Sequence, residues 1–148
     1  APFVSAESAQ RLREFSARDA SSYATQQDLI AHYRLQPASM AHPEIINRLA
    51  RQGAQQGEDG RWRHKFDRSL YADRRTWDGL VLWERIRVPA LLIKGGLSQR
   101  ITPQTFAAIS SRCPAVKFAE VPSSDHHVML DNPRGFSKAL EEFLECGQ

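Results

Sequence analysis

Long apolar runs are missing from this 148-residue chain. None approaches the roughly 20 residues that a membrane span needs, and no basic-then-apolar signal opens it. No membrane partner is therefore expected. Cysteine is scarce: Cys113 and Cys146 lie far apart, and neither belongs to a CxxC or a Cys/His ligand spacing. No metal site follows from them, and two isolated thiols fit a reducing, cytoplasmic setting. Dense basic blocks, nucleic-acid motifs, internal repeats and low-complexity segments are absent as well. So is an initial Met: the chain opens on Ala1-Pro2 and is expected to be a processed, trimmed or partial one.

The charge that is present is modest and unevenly placed. The net charge is +3, but residues 1–87 hold 14 Lys/Arg against 11 Asp/Glu while residues 88–148 hold 6 against 6. Thirteen of the 16 arginines lie in the first part. An Arg-rich face could attract nucleic acid or an acidic partner. The acids interleaved with them (Glu7, Glu14, Asp19, Asp28, Glu44) read instead as a solvated, salt-bridged helical surface, so no nucleic-acid partner is expected. With 41% hydrophobic and 25% charged residues the chain is globular, long enough for one domain or for part of a larger one.

Three amphipathic helices are expected first. Ser5 to Arg18 sets Ala6, Ala9, Leu12 and Phe15 at three-residue steps. Thr25 to Leu35 places Thr25 three residues before Asp28, a capping signal, and carries Leu29, Ile30 and Tyr33. The third has Pro43 and Glu44 in its first turn, an Ile45, Ile46, Leu49 face, and Gly53 as its stop. Asp59-Gly60 is a turn dipeptide. After it Trp62, His64 and Phe66 alternate with Arg63 and Lys65 as a short half-buried strand, with Trp62 and His64 read as packing residues.

From Thr76 the pattern changes. "TWDGLVLWERIRVP" reads as a helix, "PALLIKGG" as a strand stopped by two glycines, and "TPQTFAAISSRCP" as a helix with Thr102 as N-cap and Pro103 at its first position. "AVKFAEVP" is a second strand. "NPRGFSKALEEFLECG" is a closing helix with Phe136, Leu140, Phe143 and Leu144 on one side. Helix, strand, helix, strand, helix is the order of a parallel sheet with crossover helices. Two strands make only the edge of such a sheet, and an unpaired apolar edge favours association, including a homo-oligomer. The boundary is expected between Tyr71 and Thr76, dividing residues 1–75 from 76–148.

In open parallel sheets functional groups gather beyond the C-terminal strand ends. Here these are "KGGLSQRITP" and "PSSDHHVMLDNP". The second holds His126 and His127 side by side. A neutral imidazole there can take a proton from a nucleophile and return it to a leaving group. Spacing alone equally allows a His that caps the closing helix or bonds to a carbonyl.

The segment from about Thr76 to Leu144 resembles the C-terminal part of an α/β-hydrolase. "VPALLIKGG" is similar to the penultimate core strand, "ITP" to its downstream turn, and "DHHVMLDNP" to the loop that carries the catalytic histidine. The resemblance implies a partial α/β-hydrolase fold, with a helical lid over residues 1–75 and the edge of the core sheet over 76–148. It implies that His126 is the catalytic base, that Asp131 and Pro133 form the acid-x-Pro opening the last helix, and that His127 packs or lines the pocket. It implies a small, largely apolar, ester-like substrate, with an epoxide, a haloalkane or a carbon–carbon bond beside a ketone as alternatives, and no cofactor or metal.

Two departures qualify the resemblance. Gly96-Leu97-Ser98-Gln99 puts Gln99 where many relatives carry the Asp that orients the histidine, and Gln brings no charge to stabilise an imidazolium. Asp125 is too local to substitute for it. No Gly-x-Ser-x-Gly elbow occurs, and Ser98 reads as a turn residue. The nucleophile is therefore expected on an N-terminal companion segment or chain. The rival from another class is a truncated, non-catalytic module that binds a partner through its helices.

Overall fold

The structure is a computed structural model and describes residues 3–18 and 20–145. Asp19, Ala1-Pro2 and Cys146, each given a reading above, lie outside the described residues. In chain order the elements are β1 (Phe3–Val4), α1 (Ala6–Ala17), α2 (Gln26–His32), α3 (Pro43–Gln52), β2 (Ala54–Gln56), β3 (Trp62–His64), a 3₁₀ turn (Arg68–Tyr71), β4 (Trp77–Asp78), α4 (Leu80–Trp83), β5 (Ala90–Gly95), α5 (Pro103–Arg112), β6 (Val116–Val121), α6 (Val128–Asp131) and α7 (Pro133–Glu145). They fall into two compact units. One joins Val4–Leu35 to Pro43–Trp77; the other joins Gln36–His42 to the chain from Asp78 onward.

The first unit is held by capped helices and a hairpin. Ser5 accepts the Ser8 amide at 3.1 Å and Thr25 the Asp28 amide at 3.0 Å, so α1 and α2 start where their first orphan N–H groups find oxygen. Ala9, Leu29, Ala50 and Ala54 are buried. Strands β2 and β3 pair antiparallel, Ala54 opposite His64 and Gln56 opposite Trp62. Gly60, at φ +73°, takes the left-handed turn position that glycine adopts without a Cβ penalty. Trp62 exchanges both backbone hydrogen bonds with Tyr23 at 2.9 Å. The His64 ring lies 6.2 Å from Tyr23 and 5.6 Å from Tyr33. The alternating run is shorter than its pattern suggests: Phe66 lies outside the strand and is exposed.

The second unit carries the sheet pair. Strands β5 and β6 run parallel in continuous register from Ala90 opposite Val116 to Gly95 opposite Val121. Between them α5 starts at Thr102, which accepts the Thr105 amide at 3.1 Å, with Pro103 at its first position. Helix α5 buries Ile109, and Phe106 meets Phe118 of β6 with ring centroids 4.5 Å apart. On α7 the half-buried side chains are Phe136, Ala139 and Phe143, whereas Leu140 and Leu144 are exposed.

The helix expected over "TWDGLVLWERIRVP" is a correction. Trp77–Asp78 is extended and only Leu80–Trp83 is helical. Asp78 caps rather than continues: its carboxylate accepts the Leu80 amide at 2.9 Å. Gly79 and a dense set of β-branched and aromatic residues give the segment little intrinsic helix preference.

Candidate functional site

The two strand ends are bound to each other by backbone. Gly96 donates to the Val121 carbonyl at 2.8 Å and Leu97 to the Ser124 carbonyl at 3.0 Å, so the loop after β5 lies against the loop after β6. The approach is close enough to demand glycine. A Cβ on Gly95 would stand 2.0 Å from the Asp125 carbonyl oxygen and 2.5 Å from that of Ser124. The β6 loop turns sharply: Ser123 sits at φ 52°, a left-handed value uncommon outside glycine. Ser124, fully buried, closes the turn by donating its hydroxyl to the Val121 carbonyl at 2.8 Å. From the sequence alone this turn is invisible; it depends on where Gly95 lets the backbone pass.

His126 emerges from that turn with its ring exposed. It meets His127 edge-on at 5.5 Å between centroids, and no hydrogen bond to its imidazole forms among the described residues. Partial burial, with His127 and Arg100 nearby adding to it, holds the imidazole below its ordinary value near 6.5. At neutral pH the ring is therefore neutral, the state a proton acceptor needs.

Its two neighbours are fixed. The Asp125 amide donates to Asp131 Oδ2 at 2.8 Å, and His127 Nε2 lies 3.0 Å from the Pro37 carbonyl oxygen. Asp131 closes the bracket, its Oδ1 accepting the Ser39 hydroxyl at 2.5 Å and the Met40 amide at 2.8 Å. Burial pushes the Asp131 carboxyl upward, but the bonds from Ser39, Asp125 and Met40 outweigh it and leave the group below the usual carboxylate value. Asp131 ends α6 and Pro133 starts α7. The acid-x-Pro thus spans a helical turn and a helix start, with Asn132 between them. The Asn132 Oδ1 accepts the Gly135 amide at 2.9 Å, and its Nδ2 donates to the Pro122 carbonyl at 3.0 Å.

Beside the histidine loop lies an open depression of about 330 Å³ lined by Pro37, Leu97, Gln99, Arg100 and Asp125. Gln99 and Asp125 thus reach one cavity wall, but neither side chain bonds to His126. Ser98 is buried, and its hydroxyl accepts the Arg100 amide at 3.3 Å, a turn contact. Among the described residues no cluster of three or more His, Cys, Asp or Glu side chains could hold a metal ion, and no helix is long and apolar enough to cross a membrane. The contribution of Gln36–His42 was not read from the sequence. Only its Pro37 and Ser39, turn-forming types, hint at ordered loop structure.

No protein-family model and no curated protein matches the chain by sequence. Solved structures do match by shape. An E-2-(acetamidomethylene)succinate hydrolase superposes with a TM-score of 0.76 at 21% identity, over 98% of this chain and 55% of that one. A Mycobacterium tuberculosis esterase gives 0.72 at 19%, over 94% and 48%. An α/β-hydrolase from Novosphingobium aromaticivorans gives 0.65 at 23%, over 98% and 54%. The chain spans about half the length of each of these structures.

Proposed function

From a chain that has the fold of the C-terminal portion of an α/β-hydrolase, we propose a hydrolase in which His126 is the general base and the nucleophile comes from a segment outside this chain. One observation carries the proposal. His126 follows β6 with its flanking residues pinned and its own imidazole exposed and unbonded among the described residues, and the preceding residue, Asp125, lines an open depression. A ring committed to a capping or carbonyl bond could not accept a nucleophile's proton; this one can.

In the proposed reaction the ring takes the proton of an attacking hydroxyl as the new bond to the substrate carbonyl forms. The resulting imidazolium returns that proton to the leaving alcohol as the old ester bond breaks. His126 then takes a proton from the attacking water and returns it to the nucleophile's oxygen as the bond between that oxygen and the acyl group breaks, which frees the acid and restores the neutral ring. The apolar walls, Pro37 and Leu97, suit a small, largely apolar ester-like substrate. An epoxide or haloalkane would call for a carboxylate nucleophile on the other segment, whereas a carbon–carbon bond beside a ketone could keep the hydroxyl, with the same base in each case. We place the protein in a reducing, cytoplasmic setting, where a free thiol such as the buried Cys113 persists.

A pH–rate profile of the polypeptide that unites this chain with a nucleophile-bearing segment tests the role. The base must be neutral, so the rate should fall as pH drops through the His126 value, below about 6.5. His126→Ala should abolish that limb with most of the rate. Persistence of the limb in His126→Ala would remove the histidine from the mechanism.

A second reading has one observation behind it. Gln99, at the position expected of an orienting acid, is exposed and makes no bond to His126. That favours a non-catalytic relative binding a partner, for which the same polypeptide should show no turnover.

A further inference from the structure

Asp131 closes the one-turn α6, two residues before Pro133 opens α7, and its carboxylate is held by three bonds. Both Oδ1 donors, the Ser39 hydroxyl and the Met40 amide, come from Gln36–His42, about ninety positions earlier but in the same compact unit. The Oδ2 donor is the amide of Asp125, the residue directly before His126. The Ser39 hydroxyl oxygen also accepts the Ala41 amide at 3.1 Å, leaving its proton for Asp131.

We propose that Asp131 is the positioning residue of His126. It ties the backbone ahead of the imidazole to Ser39 and Met40, while the His127–Pro37 bond ties the backbone behind it to the same segment. The proposal rests on the reading of His126 as the base. Its consequence is that the segment Gln36–His42 sets the direction in which the imidazole points. An amide at 131 could not do this work, because its NH₂ would face either the Asp125 N–H or the Ser39–Met40 pair, donor against donor. Loss of one partner in this part-buried network leaves the others short of a bond.

The test keeps the charge and changes the reach. Asp131→Glu retains a carboxylate, but its extra methylene cannot meet all three donors at once. In this chain, amide exchange of Asp125 is expected to speed at least tenfold. The NMR titration midpoint of the His126 ring should rise toward its ordinary value as the loop solvates. Amides of β5–β6 and the titration of His64 should stay unmoved. Unchanged Asp125 exchange and an unchanged His126 midpoint would overturn the proposal. So would loss of protection throughout β5–β6, which would make Asp131 a support of the whole unit rather than of the histidine. If Asp131→Glu does not fold, Ser39→Ala removes one of the three bonds without altering charge and should move both readouts the same way, by about threefold in exchange; no movement there overturns the proposal equally. Because neither readout is an activity, a failure of the base assignment remains separate from a failure of the bracket.

Discussion

His126 and Gln99 leave the two paired strands on adjacent loops, and charge decides what can pass between them. An imidazolium formed in the transition state gains little from a neutral amide, whereas a carboxylate there stabilises it; losing such a charge costs on the order of 10⁴ in rate. Replacing Gln99 with Asp in the catalytically complete polypeptide is therefore expected to raise kcat/KM tenfold or more, about 1.4 kcal/mol of barrier. An unchanged or falling rate would mean that another strand supplies the acid and that a second carboxylate merely repels it. The place of these two residues on neighbouring strand-end loops was legible because a local motif carries each. The partners of Asp131 were not. Ser39 stands 92 positions away, and no short-range pattern announces a side chain that far off.

At the level of elements, legibility followed capping chemistry. Thr25, Thr102 and Pro103 mark helix starts that the structure keeps, since each satisfies or dispenses with an orphan amide. The strands β5 and β6 announced themselves as short apolar runs between turn residues. The stretch around Leu80–Trp83 did not, because apolar spacing mimicked a long helix while Asp78 and Gly79 confined it to one turn. Strand β2 was missed for a different reason. Ala54–Gln56 has no strand-like pattern of its own and pairs only because β3 lies opposite.

Gly95→Ala would drive a methyl into two backbone oxygens that cannot rotate away. Overpacking of that kind costs about 1–3 kcal/mol, so thermal denaturation should show Tm lowered by roughly 5–10 °C. An unchanged Tm would mean that the two loops are not in contact. His64, half-buried between Tyr23 and Tyr33, has its imidazole held below 6.5 by burial. Its unfolded form therefore binds more protons between the two values, and stability must fall as pH drops through that window. His64→Phe should make denaturant unfolding less pH-dependent below about pH 6.5. An unaltered slope would assign the acid sensitivity to other groups.

For the whole molecule, the informative feature is apolar surface without cover. Val88, Leu97, Phe118, Met129 and Leu144 are all exposed, four of them by more than half. Strands β5 and β6 form a sheet of two. Surface of this kind, next to unpaired strand edges, promotes association. Sedimentation of this chain by itself should find dimers or larger species; a monomer that unfolds cooperatively would show that the surface needs no partner.

His126 is proposed to serve a nucleophile carried on another segment. Hydrolysis of short nitrophenyl esters tests it most directly, in three samples: this chain alone, this chain united with a nucleophile-bearing segment, and the united polypeptide with His126→Ala. The chain alone should show no turnover. The united polypeptide should turn over, and His126→Ala should slow it by about 10² to 10⁴, the usual contribution of a general base. Turnover by the chain alone that His126→Ala abolishes, or a united polypeptide indifferent to that substitution, would contradict the account.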